Sequence, residues 1–227
     1  MLLIGLTPNR SDAMSHLGVA RDLRAFLLKT SDVPTLITPP VSSFHVENNK
    51  GNIQIEVVDS SSAPRYCGVR ISGVKVKESP KKIKDKLKAI GVKPINNIVD
   101  ITNYVLHELG QPLHAFDVDQ IKSKIIKVQK LKSKTKLITL DGIERELDEE
   151  DLVICDGNKP ICLAGVFGGL STGVNEYTKE VFIESAYFEP KTIRKTAKRH
   201  GLNTDASFRY ERSIDIELVN HLQCQLL

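Results

Sequence analysis

The sequence predicts an α+β protein with mixed or antiparallel sheets, flanking helices and a short helical segment at its N-terminus. Strand-like and helix-like segments follow one another without the regular βαβ alternation of a doubly wound fold. In addition, the dipeptide Asp141-Gly142 stands between the strand-like runs KLITL and IEREL, which is a strong hairpin signal. Both observations favour antiparallel pairing over a parallel sheet.

Four segments have apolar residues at helical spacing, with residues at their ends that begin or stop a helix. Ser11 or Asp12 would cap the first helix, and Ser79 would cap the second. The predicted helices cover residues 11–29, the segment from Pro80 to Gly91, residues 97–109, and a last segment from Pro190 to Gly201.

Short runs of alternating or apolar residues predict the strands. They cover residues 53–59, 67–74, 125–129, 136–140, 152–156, 161–167 and 180–188. Residues 31–52 are rich in turn-forming residues and include the pair Pro39-Pro40, which predicts a linker and a domain boundary.

The composition is typical of a folded, soluble protein. Of 227 residues, 41% are hydrophobic and 26% are charged, which excludes disorder over most of the chain. No apolar run is long enough to span a bilayer, and the N-terminus lacks the basic segment of a signal peptide. The four cysteines form no CxxC or Cys/His zinc pattern, so we expect reduced thiols, a cytoplasmic protein and no metal site.

The positive charge is concentrated in the middle of the chain. Residues 75–136 carry 15 lysines, no arginine and six acidic residues, whereas residues 137–227 carry 10 basic and 16 acidic residues. Two lysine clusters, at 75–88 and 122–136, are typical of a surface that faces nucleic-acid phosphates. The alternative is a solvated lysine face, and the sequence leaves both open.

Three features stand out as candidate site residues. His114 lies just past a predicted helix end, where a rigid loop would let it act as a base or orient water; the alternative is a turn-stabilising histidine. The glycines Gly165 and Gly168 of AGVFGG offer backbone N–H groups to a ligand, or only a tight turn. Glu184 lies on an apolar strand face and needs a partner, which is either a ligand hydroxyl or amine, or an arginine of the protein.

No segment is recognisable as a nucleophile elbow, a Ser-His-Asp set or a Cys-His pair, and the phosphate-binding P-loop is absent. If the chain is a hydrolase, we therefore expect water to be the nucleophile.

Taken together, these segments resemble the B3/B4 region of the β subunit of bacterial phenylalanyl-tRNA synthetases. The resemblance spans about residues 9–215 in the family's order, and the opening helix is similar to the later part of the B1 domain. The runs that carry it are TPNRSDAMSHLGVARDL, KPINNIVDITNYVLHELGQPLHAFD, LDG, AGVFGG, VFIESAYFEP and RHGLNTDASFRYERSID.

The resemblance implies that the chain is an excised piece of a longer subunit with three parts. Residues 1–45 would be a partial B1-like segment and linker, residues 46–215 a B3/B4-like editing domain, and residues 216–227 the start of a connection to a next domain. Ser213 and Ile216 stand where the family usually has glycine and proline, which concerns the exit toward that next domain rather than the pocket.

The family's B3/B4 module hydrolyses tyrosine that is wrongly attached to the tRNA for phenylalanine. By this resemblance, His114 would face the ester and help to place the water, while Glu184 and the backbone of Gly168 would receive the tyrosine hydroxyl. The implied catalytic set is His114, Glu184 and Thr204, and the implied substrate-binding set is Asn103, Pro112, Gly165, Gly168 and Ala206.

The resemblance implies no cofactor for editing, since ATP and magnesium belong to the parent ligase reaction. The implied partners are tRNA(Phe) carrying tyrosine and the synthetase α subunit in an α2β2 assembly, with no membrane. One alternative is a non-catalytic module that binds tRNA or a partner subunit, which the lysine clusters fit equally well. A free-standing deacylase is disfavoured by the B1-like helix and the RYER tail.

Overall fold

The computed structural model describes residues 4–29, 34–38, 45–47 and 53–219, which contain five α-helices and ten strands. The helices are α1 (His16–Leu27), α2 (Lys81–Ala89), α3 (Asn97–Leu109), α4 (Pro190–Arg199) and α5 (Asp205–Tyr210). The strands are β1 (Gln54–Val57), β2 (Arg65–Ser72), β3 (Leu113–Asp117), β4 (Ile125–Lys130), β5 (Lys136–Ile138), β6 (Glu144–Glu146), β7 (Leu152–Asp156), β8 (Lys159–Leu163), β9 (Phe167–Gly168) and β10 (Glu180–Tyr187).

The described strands form three sheets. β1, β4, β7, β8 and β9 pair in that order, with β1 parallel to β4 and the other pairs antiparallel. β10 lies between β2 and β3 and is antiparallel to both, and β5 pairs with β6 across Asp141-Gly142. This mixture of mainly antiparallel sheets with flanking helices confirms the predicted α+β class, including the N-terminal helix.

The main hydrophobic core lies between the five-stranded and the three-stranded sheet. Its buried residues include Ile126 and Leu163 from the first sheet and Phe116 and Phe182 from the second. Because alternate residues of a strand point to the same face, Glu184 on β10 lies on the core side together with Phe182. A carboxyl group is therefore built into an otherwise apolar face.

Helix α3 has the bounds that the sequence predicts. The side chain of Asn96 caps its start and accepts hydrogen bonds from the backbone N–H groups of Ile98 and Val99, at 3.1 and 3.0 Å. Gly110 ends it in the left-handed conformation, with φ +89°, where a residue with a side chain would be strained. These local signals place α3 directly before β3.

The predicted start of the first helix, at residue 11, is five residues too early. Helix α1 begins at His16, and its cap is Ser15, whose hydroxyl accepts a hydrogen bond from the backbone N–H of Gly18 at 2.9 Å. Ser11 and Asp12 lie in a preceding 3₁₀ turn and do not cap the helix.

Two further helix predictions are corrected. Ser79 does not cap α2, because its hydroxyl donates to the buried carboxylate of Asp100 at 2.5 Å and so ties the start of α2 to α3. The helix that was expected to be last, α4, is followed by the short helix α5.

Most of the predicted linker at 31–52 lies outside the described residues, and 34–38 and 45–47 have no regular secondary structure. Residues 220–227 also lie outside them, so the three-part division of the chain stays a prediction. The longest described helix, α3, has 13 residues, and no described helix is long and apolar enough to cross a membrane.

A buried carboxylate fastens α4 to the five-stranded sheet. Asp151, next to β7, is fully buried. It accepts hydrogen bonds from the backbone N–H of Asp148 and the hydroxyl of Thr196, both at 2.9 Å. It also pairs with Arg199, and its Oδ2 lies 2.7 Å from His200 Nε2. The carboxylate thus satisfies several polar groups at the end of α4.

We expect Asp151→Ala to lower the free energy of unfolding by about 2–4 kcal/mol, because several buried polar groups would lose their partner. Urea denaturation followed by circular dichroism measures this loss. Glu149→Ala is the matched control, since this neighbouring acidic side chain is exposed and its loss should change stability by less than about 0.5 kcal/mol. Equal losses in the two variants would contradict the role of Asp151.

Candidate functional site

A cavity of about 270 Å³ opens between the three-stranded sheet, α3, the β8–β9 turn and the start of α5. It is smaller than the roughly 300–1,000 Å³ of typical drug-sized pockets, so its size suits an amino-acid side chain. The structure brings all eight predicted site residues into its lining: Asn103, Pro112, His114, Gly165, Gly168, Glu184, Thr204 and Ala206.

The register of the three-stranded sheet sets the centre of the cavity. Glu184 on β10 pairs with Gly68 on β2 and with His114 on β3. Direct cross-strand partners lie on the same face with Cβ atoms about 4.5–5.5 Å apart, so His114 and Glu184 stand side by side. A Cβ at Gly68 would fall 1.9 Å from the Phe182 ring, so only glycine fits on the other side of Glu184.

His114 lies on strand β3 and not in a loop, which corrects the sequence prediction. Its ring packs edge-on against Phe116, with centroids 4.5 Å apart. Burial lowers the pKa of His114 to about 4, so the imidazole is neutral at pH 7. Among the described residues, neither ring nitrogen has a protein hydrogen-bond partner, and His114 lines the cavity, so these nitrogens are available to a ligand or water.

Glu184 is 3% exposed, and its partner within the protein is a tyrosine rather than an arginine. The hydroxyl of Tyr66 donates to Glu184 Oε2 at 2.7 Å. Burial raises the pKa of Glu184 to about 8, although the hydrogen bond from Tyr66 acts in the opposite direction. The carboxyl group is therefore mainly protonated at neutral pH.

Tyr66 is the residue that sequence reasoning missed. The predicted strand began at residue 67, two positions too late, since β2 begins at Arg65. The register pairs Tyr66 with Ala186, two residues along β10 from Glu184 on the same face, which explains its diagonal reach to the carboxyl group. The signal available in the sequence was the unpaired acid itself, which required a polar partner on a neighbouring strand.

The AGVFGG segment is a tight turn whose glycines are also required by the cavity. Gly165 has φ +66°, and a Cβ there would lie 2.9 Å from the rings of Phe188 and Tyr210. A Cβ at Gly168 would lie 2.6 Å from His114 Cε1. The segment is therefore a tight turn whose glycines let side chains of the protein approach the backbone closely, and its ligand-binding role stays a prediction.

Thr204 caps helix α5, and its hydroxyl is already engaged. It donates to the carbonyl oxygen of Val166 and accepts from the backbone N–H of Ser207, each at 3.0 Å. The hydroxyl of Ser207 accepts from Thr204 N–H in return, which completes a capping box. This geometry holds Thr204 and Ala206 against the β8–β9 turn, as part of the cavity wall.

Asn103 and Pro112 reach the cavity from α3 and from the segment just before β3. The carbonyl oxygen of Pro112 accepts a 3.4 Å hydrogen bond from the hydroxyl of the buried Tyr210. Among the described residues, the side chain of Asn103 has no hydrogen-bond partner, so its amide is available on the cavity surface.

The inner part of the cavity holds titratable groups that are neutral at pH 7. Burial raises the pKa of Cys162 and of Tyr210 well above their ordinary values, and it does the same for Tyr66. Together with neutral His114 and protonated Glu184, these buried groups carry no full charge, whereas Asp205 borders the cavity at an exposed position. The buried groups therefore offer hydrogen bonds without a full charge.

Two other kinds of site find no support in the described residues. Residues 169–173 spell Gly-x-Ser-x-Gly, but Ser171 lies exposed in a 3₁₀ turn outside the cavity lining and does not form a strand–turn–helix elbow. Within the described ranges, no three His, Cys, Asp or Glu side chains are arranged to hold a metal ion.

Comparison with known proteins shows the family of this chain. The model of the B3/4 domain family matches residues 62–225. The chain belongs to the B3/4 domain family. Over 215 residues, this B3/4 chain is 54% identical to the phenylalanine–tRNA ligase beta subunit of Bacteroides fragilis, a match that covers 95% of the chain and 26% of that protein. The phenylalanine–tRNA ligase beta subunit of Aquifex aeolicus is 49% identical over 220 residues, covering 97% and 27%.

The B3/4 chain thus spans about a quarter of the length of the curated relatives that it matches. Among solved structures, an N-terminal fragment of the phenylalanyl-tRNA synthetase beta subunit from Pyrococcus horikoshii matches with a TM-score of 0.47 and 17% identity, covering 85% of this chain and 59% of that one.

The opposite pKa shifts of Glu184 and His114 should appear in the pH dependence of stability. For Glu184 the pKa rises from 4.5 to about 8 on folding, so its contribution is complete below pH 4.5 and is lost as pH rises through 8. For His114 the pKa falls from 6.5 to about 4, so its contribution is complete above pH 6.5 and is lost as pH falls through 4. Of these two groups, only Glu184 changes its contribution to the free energy of unfolding between pH 6.5 and 8.

We therefore expect Glu184 to make stability fall over that range by up to roughly 1.4 kcal/mol per pH unit, a slope that Glu184→Gln removes. Urea unfolding at four pH values from 6.5 to 8 measures the difference between the two proteins. Glu176→Gln, at an exposed site, should keep the original slope. Parallel pH profiles for the original chain and Glu184→Gln would contradict the raised pKa.

Proposed function

We propose that this B3/4 domain is an editing site that hydrolyses the ester between tyrosine and the tRNA for phenylalanine. The observation that carries the proposal is the cavity of amino-acid size in which neutral His114 and protonated Glu184 stand side by side. The high identity to phenylalanine–tRNA ligase beta subunits supports the tRNA class of the substrate.

The buried carboxyl group supports tyrosine as the side chain that is removed. A pocket shaped for phenylalanine discriminates against an added hydroxyl by only about 10², whereas a site that hydrogen-bonds the hydroxyl rejects the analogue without it by about 10⁴ to 10⁵. Glu184 would bind the phenol of tyrosine, and phenylalanine would leave its buried oxygen without a partner. The backbone of Gly168 lies on the same wall and would close around the ring.

His114 would hold the attacking water against the ester. A pKa of about 4 makes it a weak base, so its main contribution is a hydrogen bond that orients the water toward the carbonyl carbon. Water attacks the carbonyl carbon, the ester bond to the ribose oxygen breaks, and the products are tyrosine and tRNA. The engaged hydroxyl of Thr204 favours a role in shaping the wall rather than in proton transfer.

We propose that this hydrolysis proceeds without a metal or cofactor, with His114 orienting the attacking water. We propose that the chain acts in the cytoplasm as part of a β subunit assembled with α subunits. Asn103 and Ala206, which border the cavity from α3 and α5, would contact the amino-acid end of the substrate.

We expect His114→Ala to slow the hydrolysis of Tyr-tRNA(Phe) by about 10²-fold, since a positioned hydrogen-bonding group contributes at least that factor. Single-turnover deacylation by a synthetase whose β subunit carries this segment measures the rate. His16→Ala is the control, because this histidine is exposed on α1. An unchanged rate in His114→Ala would overturn the role of His114, and a large loss of thermal stability would show instead that the residue is structural.

A second candidate function, polyanion binding without catalysis, is favoured by the lysines of α2. Lys81, Lys82 and Lys88 are exposed and have no ion pair among the described residues. Lys84 differs, since it pairs with Glu78 at 2.9 Å, and Lys86 donates to the hydroxyl of Tyr104 at 2.7 Å. Three unpaired lysines on one short helix fit the backbone of a nucleic acid.

Neutralising these lysines distinguishes binding from catalysis. We expect the triple change Lys81→Ala, Lys82→Ala and Lys88→Ala to weaken tRNA binding and to reduce the slope of log K against log salt by about 0.7–0.9 for each lost phosphate contact. Filter binding at several salt concentrations measures both quantities. A control triple of exposed lysines elsewhere, Lys159→Ala, Lys179→Ala and Lys198→Ala, has the same net charge. Equal losses in both triples would show that net charge, and not the α2 surface, governs binding.

A further inference from the structure

The hydrogen bond between Tyr66 and Glu184 has a defined direction. Tyr66 packs against the main core, and its hydroxyl has one acceptor among the described residues, Glu184 Oε2 at 2.7 Å. If Tyr66 accepted a hydrogen bond from Glu184 instead, its own buried O–H would have no partner, which is unfavourable. The hydroxyl of Tyr66 therefore donates, and Oε2 accepts.

The other carboxyl oxygen of Glu184 is directed to the cavity. Oε1 has no hydrogen-bond partner among the described residues, and it is not one of the fully enclosed polar atoms that lack a partner. Since Glu184 is 3% exposed and lines the cavity, Oε1 reaches the cavity surface. A buried polar atom without a protein partner thus points to the place where a ligand would lie.

We propose that Tyr66 is a positioning residue that holds Glu184 Oε2 as an acceptor, so that the acid proton sits on Oε1 and the cavity presents an O–H donor to its ligand. The inference rests on the proposed function and specifies its chemistry. The ligand must then carry a hydrogen-bond acceptor at the far end of its aromatic ring, which the phenol oxygen of tyrosine supplies and phenylalanine lacks.

A pair of ligands of nearly equal size tests this direction. 4-Aminophenylalanine is uncharged at its ring nitrogen at neutral pH, donates two N–H groups, and is a weak acceptor because its lone pair is delocalised into the ring. A cavity that donates from Oε1 prefers tyrosine to 4-aminophenylalanine. A cavity that accepts at Oε1 binds both.

The experiment measures dissociation constants of the chain for tyrosine, phenylalanine and 4-aminophenylalanine by calorimetry at pH 7. We expect tyrosine to bind about tenfold more tightly than either analogue, as for one neutral hydrogen bond. In Tyr66→Phe the carboxyl group is released to donate or accept, so tyrosine and 4-aminophenylalanine should bind within about threefold of each other. Tyr177→Phe, which removes an exposed tyrosine hydroxyl, should keep the original preference.

Glu184→Gln provides a second test that does not depend on the folding of Tyr66→Phe. If Tyr66 donates to the amide oxygen, the amide NH₂ faces the cavity as a donor, and the preference for tyrosine over 4-aminophenylalanine is kept. Loss of this preference in Glu184→Gln overturns the inference, as does an unchanged preference in a folded Tyr66→Phe.

The failure of this inference and the failure of the proposed function give different results. Preference for tyrosine over phenylalanine without preference over 4-aminophenylalanine supports the proposed function and overturns the role of Tyr66. Equal binding of all three ligands, or none at all, overturns the proposed function and the inference together.

Discussion

The site depends on the antiparallel pairing of β10 with β2 on one side and with β3 on the other. This register alone puts Gly68, Glu184 and His114 in one row and Tyr66 on the diagonal. A shift of one residue in either pair would turn the polar groups to the opposite face, where Ala115, Val181 and Ile183 form a separate apolar cluster. The packing of both faces therefore protects the arrangement of the site.

Burial acts on the two central groups in opposite directions and leaves both uncharged. It removes the proton from His114, with a pKa of about 4, and keeps the proton on Glu184, with a pKa of about 8. An ion pair between the two neighbours would have been the alternative, but separating charge in this apolar wall is unfavourable. Two uncharged groups suit the recognition of a phenol, which is itself uncharged. Tyrosine differs from phenylalanine only by this hydroxyl, so a hydrogen bond to it distinguishes the two side chains.

Polar side chains outside the cavity and in its wall fasten the helices to the rest of the structure. Asp100 ties α2 to α3 through Ser79, and Asp151 holds the end of α4 against the sheet. The capping box of Thr204 then orients α5 toward the β8–β9 turn. In each case a short polar side chain satisfies backbone or hydroxyl groups that burial would otherwise leave unpaired.

Much of the fold could be read from local signals in the chain. Asn96 and Gly110 mark the two ends of α3, and Asp141-Gly142 marks the β5–β6 hairpin, because capping and turn conformations depend on a few neighbouring residues. The resemblance of long runs also identified eight residues that all lie in the lining of the cavity. The start of α1 was misjudged, since Ser11, Asp12 and Ser15 all have the chemistry of a cap and only packing selects among them.

Only the tertiary structure determines the protonation states and the hydrogen-bond partners of those residues. The sequence identified Glu184 as an acid in need of a partner, but its partner, Tyr66, lies 118 positions away along the chain, on the neighbouring strand β2. His114 was expected in a loop, and its neutral state follows from the apolar groups that surround it on β3. Desolvation and long-range pairing depend on how separate segments pack together, so no local pattern of residues encodes them.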